Sequence, residues 1–178
     1  MTRLAAGGLA AAPAAAAAWK NAFAEQLKQD LLAHWQSERD YSLAIVGAMP
    51  DEQFGYRPTP EVRSFAEQAV HFGRAQVAYF SMLELIEPPK APEGEDPATV
   101  KAYVAQSFDY VRDVLTKAGE KEFLRRDVPM GFDRRLHTTQ DLWLRGALHT
   151  AHHRGQLIVY LRLNGIAPPD WQFAPQGG

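Results

Sequence analysis

The residues of this chain best suited to chemistry are its six histidines, His34, His71, His137, His149, His152 and His153. His149 and His153 stand four residues apart in a segment with helical periodicity. That spacing places both imidazoles on one helix face, one turn apart, where they can chelate the same ion. His152 falls about 100° away around the helix, beside Arg145 and Val159, and is left out of the ligand set. The chain has no cysteine, so disulfides, thiolate metal sites and a cysteine nucleophile are excluded. A metal would be held by His, Asp, Glu or water, and any thiol chemistry would bring its thiol in as a substrate. A tight site needs a third ligand from another helix. His71 is the best candidate, on a stripe with Glu67, Gln68, Ala75, Ala78 and Met82 whose small alanines permit close approach. Taken by spacing alone, such a pair also occurs in helices that hold no metal, and a mid-helix histidine is ordinarily a packing residue.

Four amphipathic segments must position these groups. The first helix is expected from Trp19 to Met49, with Phe23, Leu27, Leu31, Trp35, Leu43, Ile45 and Val46 on its apolar face and Pro50 ending it. Residues 50–63, rich in proline, form a loop. Ser64 and Glu67 form a capping box that starts the second helix, which should run to just before Pro88 and Pro89. Asp96 caps a third helix with Pro97 in its first turn and Gly119 as a stop. Residues 119–138 are irregular, with a weak signal for a short strand pair. Thr138 and Asp141 start the last helix, and Asn164, Gly165, Pro168 and Pro169 end it. This helix carries apolar residues on most sides (Leu142, Trp143, Leu144, Ala147, Leu148, Leu157, Ile158, Tyr160, Leu161) and is expected at the centre of the domain. The architecture implied is all-α, a four-helix bundle.

Within it, the ligand stripe reads Leu142, Gly146, His149, His153, Gln156, Tyr160, with Gly146 leaving room beside the site. Glu67, one turn before His71, could orient that ring, although its capping role is the preferred reading. Gln156 and Tyr160 could contact a ligand and are read first as packing or metal-shell residues. His34 could approach the site across the bundle but is read, like His137, as a packing or surface residue. Arg154 is read as a salt-bridge residue holding the bundle together.

The chain has 178 residues, 46% hydrophobic and 22% charged, enough for the core of one domain. A net charge of −2 with no basic stripe argues against a nucleic-acid partner. No apolar run is long enough to suggest a membrane span. Residues 1–18 form an Ala-rich leader ending in Ala16-Ala17-Ala18, a pattern shared by signal peptides and by fraying tails. They are set apart from a single domain at 19–178, and exported (periplasmic) and cytoplasmic locations both stay open.

The run His149-Thr-Ala-His152-His153-Arg154-Gly155-Gln156 resembles the HxxHHRGQ signature of the DinB/YfiT-like family, and Tyr160-Leu-Arg-Leu-Asn164-Gly165 resembles that family's helix end. Arg57-Pro-Thr-Pro60, Ser64-Phe-Ala-Glu-Gln68 and His71 are similar to the start of its second helix, so the likeness spans roughly residues 25–168. The resemblance implies a four-helix bundle, often dimeric, with one metal-ligating His on the second helix and an H-x-x-x-H pair on the fourth. These fall on His71, His149 and His153.

Three neutral imidazoles leave coordination positions open, the pattern of a catalytic site, and suit zinc or nickel equally. Proteins of the resembled family include metal-dependent thiol S-transferases and a thiol-dependent isomerase. The expected function is therefore conjugation of a low-molecular-weight thiol to a small electrophile, in a homodimer. A metal-dependent hydrolase and a non-catalytic metal-binding or stress-related module are the alternatives.

Overall fold

A computed structural model describes residues 11–130 and 133–171 of the chain. The first ten residues of the Ala-rich leader, and Gly131 and Phe132 of the irregular segment, lie outside the described residues. Helix α1 spans Ala11–Ala48, α2 Phe65–Ser81, α3 Pro97–Lys117 and α5 Thr139–Leu163, and α4 is a single turn at Glu120–Phe123. Strands β1 (Val128–Met130) and β2 (Asp133–His137) form an antiparallel pair between α4 and α5. The four long helices make the expected all-α bundle: α2 packs on α3 and α5, and α1 on the other side of the same two.

Helix α1 begins eight residues before the expected Trp19. Alanine is the strongest helix former, and Pro13 lies in the first turn, where its missing N–H costs nothing. Phe23, expected on the buried face, is exposed. Helix α2 starts as the capping box requires: the Glu67 N–H donates to Ser64 Oγ at 3.0 Å and the Ser64 N–H to Glu67 Oε2 at 2.8 Å. It stops at Ser81, short of Pro88, because Glu84 turns into the left-handed region (φ 55°) and Leu83 folds into the core. Helix α3 opens on Asp96, whose carboxylate accepts from the Thr99 N–H at 2.8 Å. It ends at Lys117, two residues before Gly119, whose N–H is then taken by the Glu122 side chain. The weakly signalled strand pair is present, with buried Val128 and Met130 on either side of exposed Pro129.

The core centres on Trp35 of α1, whose rings pack against Phe80, Phe108 and Trp143 and whose indole N–H donates to the Phe108 carbonyl at 2.9 Å. A buried polar link joins three helices here: Ser107 Oγ donates to Gln76 Oε1 at 2.9 Å, and the Gln76 amide reaches Thr150 Oγ1 at 3.5 Å. Helix α5 is less enclosed than expected. Leu142, Leu157 and Leu161 are buried, but Leu144 (59% exposed), Leu148 (62%), Val159 and Leu163 face outward. A helix at the corner of a bundle buries one stripe, and apolar residues off that stripe cannot rotate inward without removing the stripe itself.

Gly73 is where α2 and α3 approach most tightly. A Cβ there would sit 2.8 Å from the Tyr103 ring. Gly73→Val is expected to lower unfolding stability by about 2–3 kcal/mol, the usual cost of overpacking a close-packed core; urea denaturation of the metal-free protein measures it.

Candidate metal centre

His71 lies near the middle of α2, two turns beyond the capped start, so its ring position is set by a helix whose register the Ser64/Glu67 box fixes. His149 and His153 project from consecutive turns of α5. The two helices pack so that the three rings converge. His71 Nε2 stands 3.2 Å from His153 Nε2, which stands 3.1 Å from His149 Nε2, and one ligand nitrogen from each lies within 4.8 Å of the others. Metal–nitrogen bonds of about 2.0–2.1 Å separate two nitrogens by about 3.3 Å on a tetrahedral ion and about 3.0 Å on an octahedral one. The two short separations fall between these values, and with the third pair, within 4.8 Å, drawn to a similar distance the three rings could hold a divalent cation.

The rings are also in the right charge state. Burial pulls the His153 pKa down to about 4, and burial lowers those of His71 and His149 as well. The positive charges of Arg63 and Arg74 push His71 further the same way. Each ring is thus neutral at pH 7, with a lone pair free for coordination.

Two glutamines set the orientation of His153. Its Nδ1 lies 2.7 Å from Gln156 Oε1 and 2.6 Å from Gln68 Nε2, and the Gln68 amide itself donates to Gln156 Oε1 at 2.6 Å. One tautomer has the His153 Nδ1–H donating to the Gln156 carbonyl oxygen, which also accepts from the Gln68 amide; the other has Nδ1 accepting from Gln68, and metal binding requires the first. The first leaves His153 Nε2 as the unprotonated nitrogen, pointed at His71 and His149. The Gln156 amide nitrogen lies 3.1 Å from His152 Nε2, so exposed His152 stands outside the triad but supports Gln156. Gln68 was not expected in this role; its place one helical turn before His71 is the available signal. Gln156→Leu is expected to weaken metal binding about 10- to 100-fold by leaving the His153 Nδ1–H without its acceptor, as competition with a chromophoric chelator would measure.

A model of the DinB family matches residues 20–175 of the chain. The chain belongs to the DinB family. Two solved structures share the fold of this DinB protein. A DinB-like protein from Bacillus cereus is 18% identical and superposes with a TM-score of 0.71, covering 80% of this chain and 95% of its own. A DinB-like protein from Bacillus subtilis is 20% identical with a TM-score of 0.64, covering 80% and 97%. No curated protein matches the sequence.

Other residues singled out in the sequence of this DinB protein take different places. Glu67 does not orient His71; its carboxylate is held by the Ser64 N–H and by Arg57 at 2.9 Å. Gly146 leaves no room beside the three histidines, since a Cβ there would meet the Phe80 ring at 3.0 Å. Exposed His34 lines a separate groove between α1 and α5 with Leu31, Trp35, Trp143 and Leu148. His137 is buried and its Nδ1 lies 2.5 Å from Asp141. Tyr160 donates its hydroxyl to the Arg63 carbonyl at 2.6 Å, pinning the start of α2 to α5. Arg154 is a buried salt-bridge residue paired with Glu38 of α1.

The neutral triad makes the metal-free fold acid-sensitive. Unfolded histidines titrate near about 6.5, so below that pH the unfolded chain takes up protons that the folded chain refuses until about pH 4, where His153 titrates. The stability contribution is complete above about pH 6.5 and falls as the pH drops toward 4. Urea unfolding in the presence of chelator should lose roughly 2–3 kcal/mol across that window. A His153→Leu variant should show a visibly shallower slope.

Proposed function

We propose that this DinB protein is a divalent-metal-dependent transferase that conjugates a low-molecular-weight thiol to a small electrophile. The observation carrying this reading is a triad of neutral imidazoles, one of which, His71, lines an open cavity of about 490 Å³ together with Arg63, Val70 and Arg74. A zinc or nickel ion held by His71, His149 and His153 would supply Lewis acidity that lowers the pKa of a thiol brought to it. The protein's own residues do the rest. Gln156 and Gln68 orient the His153 ring, the S–H proton leaves to solvent, and as the carbon–sulfur bond forms the electrophile's leaving group (chloride for the aryl chloride used below) departs with its bonding electrons.

The hydrolase alternative needs a carboxylate free to act as general base. Glu67, on the cavity wall beside His71, is committed to Arg57 and Ser64, whereas exposed Glu93 on the same wall is not, so the assay and not the wall decides between hydrolase and transferase. The decisive experiment measures S-conjugation of 1-chloro-2,4-dinitrobenzene across a panel of thiols, with chelator, zinc or nickel. Metal-dependent turnover with at least one thiol is the expected result. Stoichiometric metal with no rate above background for any thiol would favour the non-catalytic metal-binding module.

We also propose a homodimer. Leu144 and Leu148 form an exposed apolar ridge along α5, bordering the groove against α1 that Leu27, Leu31 and Trp35 line. Sedimentation of the wild type against Leu148→Lys tests it, with a monomeric wild type overturning it.

No helix of the described residues is long and apolar enough to cross a membrane.

A further inference from the structure

Arg63 occupies an unusual place. It is the residue just before the Ser64 cap of α2, and its backbone carbonyl is pinned to α5 by the Tyr160 hydroxyl at 2.6 Å. Its guanidinium is exposed, and no hydrogen bond or ion pair commits it to another side chain among the described residues. Most other arginines near the bundle surface are engaged: Arg39 with Asp109, Arg57 with Glu67, Arg112 with Asp113, and Arg145 with Asp141. Arg63 lines both the 490 Å³ cavity that contains His71 and a second one of about 630 Å³ that reaches Gln68 and Gln156. It therefore borders two spaces, one reaching His71 and the other reaching Gln68 and Gln156, the hydrogen-bond partners of His153. Arg74, three residues after His71 on the same helix face, lines the first cavity too. One of its guanidinium nitrogens donates to the Pro92 carbonyl at 3.1 Å, which aims the group without neutralising it.

Three carboxylates share this wall, and none of them forms an ion pair with Arg63 or Arg74. Glu67 is neutralised by Arg57, and Glu95 accepts the Ser64 hydroxyl at 2.5 Å. Glu93 is exposed on the connection between α2 and α3, where water screens it strongly. A fixed backbone carrying an uncommitted guanidinium on the wall of the cavity that contains His71 is suited to bidentate capture of a carboxylate.

We propose that Arg63, assisted by Arg74, is the specificity residue of this site and that it anchors a carboxylate of the small molecule whose reactive atom is presented at the His71–His149–His153 triad. The inference rests on the proposed transferase reading for the identity of that molecule, either the thiol or its electrophile, but not for the anion site itself.

Two measurements separate these. First, the full chain, with and without chelator, is titrated with succinate and with its neutral analogue succinamide while the arginine side-chain Nε–H signals are followed by NMR. Succinate should shift the Arg63 signal saturably, succinamide should not, and Arg63→Gln should weaken succinate binding at least about tenfold with metal content unchanged. An unmoved Arg63 signal, equal binding of succinamide, or unaltered affinity in Arg63→Gln would overturn the proposal. Because this arm also runs on metal-free protein, failure of the metal reading leaves it intact.

Second, the conjugation assay compares 3-mercaptopropionate with 2-mercaptoethanol against one neutral electrophile, and fumarate with fumaramide against one neutral thiol. A rise in KM of about tenfold or more in Arg63→Gln for the carboxylated partner alone, with kcat retained, identifies which reactant carries the anchor. Equal KM values for the charged and neutral partners of both pairs in the wild type would overturn the assignment of Arg63 to specificity.

Discussion

His153→Ala is expected to abolish metal retention while leaving the helical content largely intact. His153 is the hinge of the triad, since its Nε2 is the one within 3.1–3.2 Å of both other ligand nitrogens. Removing it leaves one imidazole on each of two helices. Loss of an outer partner such as Gln156 already costs about 10- to 100-fold in metal affinity, so loss of a ligand should exceed about a hundredfold. His149→Ala should behave likewise. The fold should survive because the core under α5 is built from Leu142, Leu157 and Leu161, and Gln68 and Gln156 keep their mutual hydrogen bond at 2.6 Å. Metal content per chain after dialysis of untagged protein, with circular dichroism alongside, is the measurement. Full occupancy in either variant would contradict the ligand assignment.

The largest stability effect is expected from Glu38→Ala. Arg154 follows His153 on α5 but points to the opposite side of the helix. Its side chain is 8% exposed, its guanidinium lies 5.0 Å from the centre of the Tyr41 ring, and its ion-pair partner is Glu38. Without Glu38 the guanidinium stays buried with only an aromatic face to stabilise it, an arrangement that costs about 3 kcal/mol. Arg154→Met should cost less, about 1 kcal/mol, because the carboxylate it leaves behind is 29% exposed and can be hydrated. The double variant should therefore be more stable than Glu38→Ala alone. Urea unfolding of the three proteins tests this order, and a Glu38→Ala protein as stable as wild type would show that the pair contributes nothing. Metal affinity should change little, since neither residue touches the triad.

Much of this DinB protein was legible before folding was considered. The Ser64/Glu67 and Thr138 caps start their helices as expected, because capping is a contact between residues three apart. His149 and His153 had to share a face, because a helix returns to the same side every four residues. Apart from the early start of α1, which alanine propensity explains locally, the unexpected features depend on something distant in sequence. Gly146 accommodates Phe80 of α2 and not a ligand. Helix α2 stopped early where Leu83 found a place in the core.

By itself the order of residues determined four helices, the capped starts of three of them and the pairing of two imidazoles, since each is decided within one or two turns of chain. Only tertiary packing brought His71 to within 3.2 Å of His153, joined Gln68 to Gln156 across α2 and α5, and left Leu144 and Leu148 outside. The crossing and rotation of one helix against another come from how side chains of all four interdigitate, and local periodicity carries no record of that.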